Sequence, residues 1–260
     1  MKIVDMIVDF QKKIIMKLIV LGSGGYYTTD DTHTPSYMIP ELGIIFDSGN
    51  GIHRAPQYVE TETIHIFLSH AHLDHTEGLR VVNYLYNDKC TKIIVHARKE
   101  IIEAIPLLFN QPFAGGHTMP FELEEVEAGK PIQLQNGVTI TAFELNHTSP
   151  NFGYRLDTPE KSMAYVTDTT FIPEKDYTPH LHNLDLLLHE CYATAGDVQQ
   201  AVEMGHTCPE QFVSICKATN PKKAYTIHHR PKGGKEENIE FIKKEFPNAF
   251  MAVDKQIIEF

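Results

Sequence analysis

The stretch Ser69-His70-Ala71-His72-Leu73-Asp74-His75 sets three imidazoles and a carboxylate within six residues. Imidazole nitrogen suits zinc, iron and similar divalent ions, while a carboxylate adds charge and can bind a second ion. Side chains alternate along extended chain, so His70 and His72 point to one side. Asp74 and His75 then start a helix and face the same spot. Such a cluster can hold two adjacent metals, a geometry suited to hydrolysis. The chain has 15 histidines, and Asp74 alone would serve as a helix N-cap. Four ligand-type side chains at this spacing are much harder to assign to capping or core packing.

At 260 residues the chain is long enough to bury about 70–75% of its unfolded surface. One α/β domain over residues 1–260 is expected. There are 23 basic and 34 acidic residues, a net charge of −11. That balance disfavours a broad electrostatic grip on long nucleic acid, although bound metals and a local basic patch can dominate a site. Cys90, Cys191, Cys208 and Cys216 form no CxxC pair, which suits reduced thiols in the cytoplasm. No run of about 18 apolar residues occurs, so no membrane span is expected. In residues 1–16, Asp5, Asp9 and Lys12-Lys13 interrupt any signal-peptide core. Ile3, Val4, Ile7, Phe10 and Ile14 keep helical spacing there, which reads as a leading helix or extension, with Met16 an alternative start.

Strands are expected at Lys17 to Leu21, in one or two pieces over Tyr37 to Phe46, at His65 to Leu68 and at Lys92 to His96. Further strands are expected at Met163 to Val166, Leu184 to Leu188 and Lys223 to Ile227, with more in Ala249 to Phe260. Asn136-Gly137 between apolar runs marks a hairpin over Ile132 to Leu145. Helices are expected over Thr76 to Tyr86, Ala97 to Phe109 (disturbed by Pro106), Pro209 to Lys217 and Glu236 to Phe246. Asn110 to Pro120, with Gly115-Gly116, reads as a connector or as a flap over the site. Two strand-rich parts with helices between them suggest two sheets with outer helices.

Two metals need more ligands than the first cluster supplies. His147, Asp168 and His228 each follow a short apolar run, as His70 does, and so would meet at the edge of a sheet sandwich. Asp47 also ends a strand and is assigned an orienting role behind the ligands.

His70-x-His72-x-Asp74-His75 followed by His147, Asp168 and His228 resembles the metallo-β-lactamase superfamily of dinuclear hydrolases. The resemblance covers the chain from about Lys17 onward. Leu18-Ile19-Val20-Leu21-Gly22-Ser23-Gly24, the Phe46-to-Gly51 turn and Asp185-Leu186-Leu187-Leu188-His189-Glu190 are similar to ribonuclease Z. So are Gly205-His206-Thr207-Cys208 and Ile227-His228-His229-Arg230-Pro231. The resemblance implies a four-layer αββα sandwich with a dinuclear site at the edge of the two sheets. It assigns His70, His72 and His147 to one metal and Asp74, His75 and His228 to the other, with Asp168 bridging. His229 is the rival to His228, and strand register favours His228. The resemblance also implies a Glu190–His206 dyad that protonates a leaving alkoxide. Asp74, Glu190 and His206 are thus the candidate catalytic residues. His189 is expected to pack structurally.

Ribonuclease Z usually carries a long arm between the His147-type and Asp168-type motifs. Here the two residues are 21 apart and the interval fits only a hairpin, Phe152 to Val166; Cys208 also replaces an expected threonine. His72 stands where an oxygen-reducing diiron branch has Glu, and Asp168 where β-lactamases commonly have Cys. The leading expectation is a phosphodiesterase on a small, cyclic or short nucleic-acid phosphodiester, with a metal-bridging hydroxide as nucleophile. Alternatives are a tRNA 3′-processing endonuclease, a lactonase or thioesterase and, last, a non-catalytic metal-binding module. Zinc leads as the metal, with manganese and iron accepted by the same N/O donor set. The partners expected are the small phosphodiester, with tRNA doubtful, no membrane, and a second copy of the chain in a homodimer.

Overall fold

Runs such as Leu18-Ile19-Val20-Leu21 lack the polar alternation of a half-exposed strand because both faces are buried. The computed structural model describes residues 15–110, 112 and 119–260. The leading helix and the Gly115-Gly116 loop therefore lie outside the described residues, apart from their margins. One mixed sheet contains β1 (Lys17–Gly22), β2 (Ser36–Ile39), β3 (Ile44–Phe46), β4 (Thr63–Phe67), β5 (Lys92–Ala97), β6 (Glu122–Glu125) and β14 (Ile257–Glu259), in the order β14-β1-β2-β3-β4-β5-β6. The other contains β7 (Ile132–Gln133), β8 (Thr139–Leu145), β9 (Asn151–Asp157), β10 (Ser162–Val166), β11 (Leu186–Glu190), β12 (Lys223–Ile227) and β13 (Ala249–Met251), in the order β13-β12-β11-β10-β9-β8-β7.

Alternate side chains of each strand enter different layers. Leu18, Val20, Phe46 and Phe67 of the first sheet meet Tyr154, Met163, Tyr165 and Leu188 of the second in the central core. Ile19, Leu21, Ile64 and Ile66 face outward beneath the 3₁₀ segments Asn50–Tyr58 and Glu77–Leu85 and beneath α2 (Lys99–Ala104). Ala164, Val166 and Leu187 face outward beneath α4 (Pro209–Thr219) and α5 (Lys235–Glu245). This is the four-layer αββα sandwich. The short helices α1 (Leu73–Thr76) and α3 (Val198–Met204) stand at one edge.

Local chemistry explains the elements and their departures from expectation. Asn136 and Gly137 both take positive φ, 60° and 73°, and close the tight β7–β8 hairpin. Pro209 opens α4 at its first turn, where a missing N–H costs nothing, and Cys208 caps it through a backbone N–H to Gln211 Oε1 at 3.3 Å. The Thr76 to Tyr86 segment is not the α-helix expected. It is 3₁₀ over Glu77–Leu85, with Gly78 pressed on the Ser48-Gly49 backbone and the β-branched pair Val81-Val82 of weak α propensity. The Ala97 to Phe109 helix is likewise shorter, ending at Ala104 ahead of Pro106 and continuing as 3₁₀.

The parallel relations within each sheet send the C-terminal ends of β1, β3, β4, β8, β10, β11 and β12 to one edge. There the sheets are stitched together. Gly25 N–H donates to His229 O at 2.9 Å, His229 N–H to Ser23 O at 3.0 Å, and Phe152 N–H to Ser69 O at 3.0 Å. Phe46 lies in the central core under this edge, stacked on Tyr165 with ring centroids 5.4 Å apart and fully buried. Phe46→Ala should therefore destabilise the fold by about 3–5 kcal/mol. Urea unfolding measures this, and a loss below about 1 kcal/mol would contradict the packing described.

Candidate metal centre

Asp47, His70, His147, Asp168 and His228 sit one to three residues beyond a strand, where the backbone leaves its ladder. Asp47 after β3, Asp168 after β10 and His228 after β12 adopt left-handed φ values of 57°, 42° and 52°. Such values strain non-glycine residues and re-aim their side chains across the sheet edge. Asp74 and His75 lie in α1, for which His72 is the N-cap residue.

The result is two donor groups sharing one carboxylate. Nitrogens of His70, His72 and His147 and an oxygen of Asp168 lie within 4.8 Å of one another, and so do donor atoms of Asp74, His75 and His228. Asp168 Oδ2 faces the first group, 3.7 Å from both His70 Nε2 and His147 Nε2. Its Oδ1 faces the second, 3.2 Å from His75 Nε2 and 3.1 Å from His228 Nε2. His228 rather than His229 enters the cluster. His229 is buried behind it, with Nε2 3.0 Å from the Ala252 carbonyl. Only a hydrogen fits on Gly25, since a methyl there would overlap the His228 imidazole.

The far nitrogens of His147, His75 and His70 are held from behind. His147 Nδ1–H donates to Gly205 O at 2.9 Å, which leaves Nε2 as a lone pair. His75 Nδ1–H donates to Asp47 at 2.7 Å. Ser69 Oγ donates to Asp47 at 2.8 Å and can accept from His70 Nδ1–H at 3.0 Å. Asp47 thus sits in the orienting position behind the cluster, and Tyr165 O–H adds a further hydrogen bond to it at 2.6 Å.

The donor set fits divalent cations on two observations. First, His70 Nε2, His147 Nε2 and His228 Nδ1 are buried with no hydrogen-bond partner, and the first two point into the cluster, where an unpaired buried acceptor is costly unless something binds it. Second, the charges are arranged for a cation. Burial opposes charge on His75, but Asp168, Asp74 and Asp47 outweigh it and raise its pKa well above the usual value. Burial likewise opposes ionisation of Asp168, yet His228 and His75 pull its pKa well below the carboxylate range. Burial keeps His70 neutral by lowering its pKa, the form that ligates.

Glu190 and His206 stand beside this cluster. Glu190 is fully buried and accepts from Thr169 N–H at 2.7 Å and Tyr192 N–H at 3.0 Å. His206 Nδ1–H donates to it at 2.9 Å. Thr207 Oγ–H to Thr169 O at 2.6 Å ties the His206 loop to the loop carrying Asp168. Burial disfavours charge on His206, but Glu190 prevails and lifts its pKa to about 9. His189 points away, between Tyr177 O–H at 2.9 Å and its neighbour's carbonyl at 2.8 Å, as a packed residue.

Residues 44–229 match the family described as the beta-lactamase superfamily domain. The chain belongs to the metallo-β-lactamase superfamily of hydrolases. It is 26% identical over 250 residues to the chloroplastic tRNase Z TRZ2 of Arabidopsis thaliana, covering 82% of this chain and 69% of that protein. YhfI of Bacillus subtilis, a metallo-beta-lactamase fold protein, aligns with a TM-score of 0.80 at 18% identity over 94% of this chain and 99% of its own. A diphosphatase from the PhnP family aligns with a TM-score of 0.74 at 22% identity, covering 95% and 98%.

In this superfamily member the interval between His147 and Asp168 holds only the β9–β10 hairpin beyond the loop leaving His147. A cavity of about 610 Å³ opens over the cluster. Among the described residues no helix is long and apolar enough to cross a membrane. Sequence reasoning did not find Tyr26, whose N–H donates to Asp74 at 2.7 Å, nor Tyr192, whose ring stacks on His206 at 4.5 Å. Tyr26 follows the Gly24-Gly25 turn and Tyr192 stands two residues past Glu190, but neither carries a metal-binding side chain, so neither stood out.

The Glu190–His206 pair has a pH signature in the metal-free chain. The folded value near 9 exceeds the ordinary 6.5, so the pairing stabilises the fold fully below about pH 6.5 and loses that contribution as pH rises through about 9. Glu190→Gln should drop the His206 titration well below 9, read from its ring proton by NMR. An unchanged midpoint would show that Glu190 does not hold the charge.

Proposed function

We propose that this protein is a metal-dependent phosphodiesterase for small or short phosphodiesters. His70, His72 and His147 would hold one divalent cation, Asp74, His75 and His228 the other, and Asp168 would be shared through its two oxygens. The observation that carries the reading is an acid-capable imidazole beside paired donor groups on one cavity floor: Asp168, His206 and His228 offer donor atoms within 4.8 Å of one another. When bound, the cations supply Lewis acidity, which makes water a nucleophile near neutral pH and neutralises charge on phosphoryl oxygens.

The chain's own part is proton delivery. His206 Nδ1 is committed to Glu190, so Nε2 is the atom that gives its proton to the leaving oxygen. Glu190 holds the imidazole charged beforehand, and two backbone amides keep the carboxylate in place. Cations in the adjacent cluster would draw the His206 value down from about 9, nearer to that of an efficient acid at neutral pH.

Relatives named tRNase and diphosphatase support chemistry at phosphorus. Substrate size is read from the short hairpin between His147 and Asp168, the net charge of −11 and a cavity suited to a small ligand. Metal analysis should find about two ions per chain, zinc foremost with manganese or iron as substitutes, and turnover of bis(p-nitrophenyl) phosphate should require them. Two ions with hydrolysis of lactones or thioesters instead would overturn the reading, as would cleavage confined to precursor tRNA.

Two substitutions separate the roles. His206→Ala should lower kcat about 10²–10⁴-fold on a dinucleotide, whose leaving alkoxide needs a proton, and far less on a p-nitrophenyl ester, with metal content kept. Equal losses on both substrates, or loss of metal, would end the proton-donor assignment. Asp168→Ala should lower occupancy of both ions; near-normal metal content and activity are incompatible with a shared carboxylate.

A further inference from the structure

The walls of the cavity differ in kind from its floor. Tyr26, Ala71, Leu73, Tyr192 and Met204 rise above the imidazoles and carboxylates. Among the described residues lining the cavity, none is lysine or arginine. Tyr26 is 71% exposed and Leu73 65% exposed, both at the mouth. An exposed tyrosine is ordinary on a mobile loop, but the backbone of this one is held. Its backbone sits at φ 67°, its N–H is bonded to Asp74, and its ring packs edge-on against Tyr27 at 5.5 Å. Left-handed backbone is costly for a residue with a bulky side chain and persists where surrounding contacts hold it. The second ring, Tyr192, is held by stacking on His206 and by its own N–H to Glu190. One aromatic face is therefore anchored to a metal-ligating candidate and the other to the proton donor.

We propose that Tyr26, with Tyr192 as the opposing wall, forms a subsite that stacks the base of a nucleoside esterified to the phosphodiester. The inference rests on the phosphodiesterase reading for the placement of phosphorus on the floor. A pre-positioned aromatic ring binds a planar base at little cost in side-chain freedom. Base–aromatic stacking is strong enough to be worth about tenfold in affinity. Among the described residues the cavity lining itself offers a long polyanion no lysine or arginine, the exposed Arg230 near Tyr192 lying outside it, whereas a singly charged diester needs only the floor. The preferred substrate class is thus a nucleoside-bearing phosphodiester monoanion, cyclic or with a short second arm.

The test is calorimetric binding of two monoanions, adenosine 5′-methylphosphonate and methyl methylphosphonate, to protein reconstituted with zinc or manganese. The wild type should bind the adenosine ester about tenfold more tightly. Tyr26→Ala keeps the N–H that holds Asp74 and should abolish that preference, while Tyr26→Phe should keep it. Metal content and circular dichroism of each variant check that the site is intact, and Leu73→Ala, at an exposed position, should narrow the preference should Tyr26→Ala lose metal. Equal affinities in the wild type, or an undiminished preference in Tyr26→Ala, would overturn the subsite. A Tyr26-dependent preference with no diester hydrolysed would support the subsite while ending the phosphodiesterase reading. Hydrolysis of nucleoside and simple alkyl diesters with equal kcat/KM would remove the subsite alone.

Discussion

The Asp47 carboxylate is fully buried, and four donors converge on it: Ser69 N–H at 2.7 Å, Ser69 O–H at 2.8 Å, His75 Nδ1–H at 2.7 Å and Tyr165 O–H at 2.6 Å. A buried carboxylate is tolerable only when its lone pairs are taken up in this way. The donors come from both halves of the molecule: Ser69 and His75 follow β4 of the first sheet, and Tyr165 belongs to β10 of the second. One side chain therefore sets the approach of the two sheets, the path of the chain into α1 and the orientation of a candidate ligand. Its own left-handed backbone is the local strain that this arrangement over-determines.

From that tie the character of the cluster follows. Ring centroids of His70 lie 4.4 Å from those of His72 and 4.2 Å from those of His75, with Asp74 and Asp168 among them. Asp168, Asp74 and Asp47 favour a proton on His75, burial favours a neutral His70, and the Nε2 lone pairs of His70 and His147 have no hydrogen-bond partner. A cation in each donor group would use those lone pairs and displace the proton, so binding and folding are thermodynamically linked here. The protein supplies the crowding in advance, through orienting bonds made outside the cluster.

Much of this was legible in the sequence because its signals are local. His70 to His75 lie in one short stretch, and Asn136-Gly137 dictates its own turn. The apolar runs before His147, Asp168 and His228 mark strand ends, and parallel strands bring such ends to one edge. The Glu190–His206 pairing was legible only through resemblance, since a separation of 16 positions carries no spacing rule. Contacts made by backbone were hidden. The Tyr26 N–H on Asp74 and the Gly205 carbonyl behind His147 depend on chain path, not on residue type. The Glu77–Leu85 segment misled because its apolar spacing fits a helix, whereas the close approach of Gly78 to Gly49 is a tertiary fact.

Floor and rim obey different physical demands. Floor residues such as His70, His75, Asp168 and His228 are almost wholly buried, and His70 and His75 have their far nitrogens tied to Ser69 and Asp47, so moving either disturbs several bonds at once. Rim residues such as Tyr26 and Leu73 expose their side chains and are tied to the floor only by backbone. Exchanging a rim side chain would therefore leave the orienting network intact and alter only the cavity's walls. A fold organised in this way can keep one chemistry and vary its substrates, which accounts physically for a tRNase and a diphosphatase among the proteins this chain resembles. On the reading proposed above, the determinants of specificity lie where ligand-type residues do not occur, in the aromatic and aliphatic side chains around the mouth.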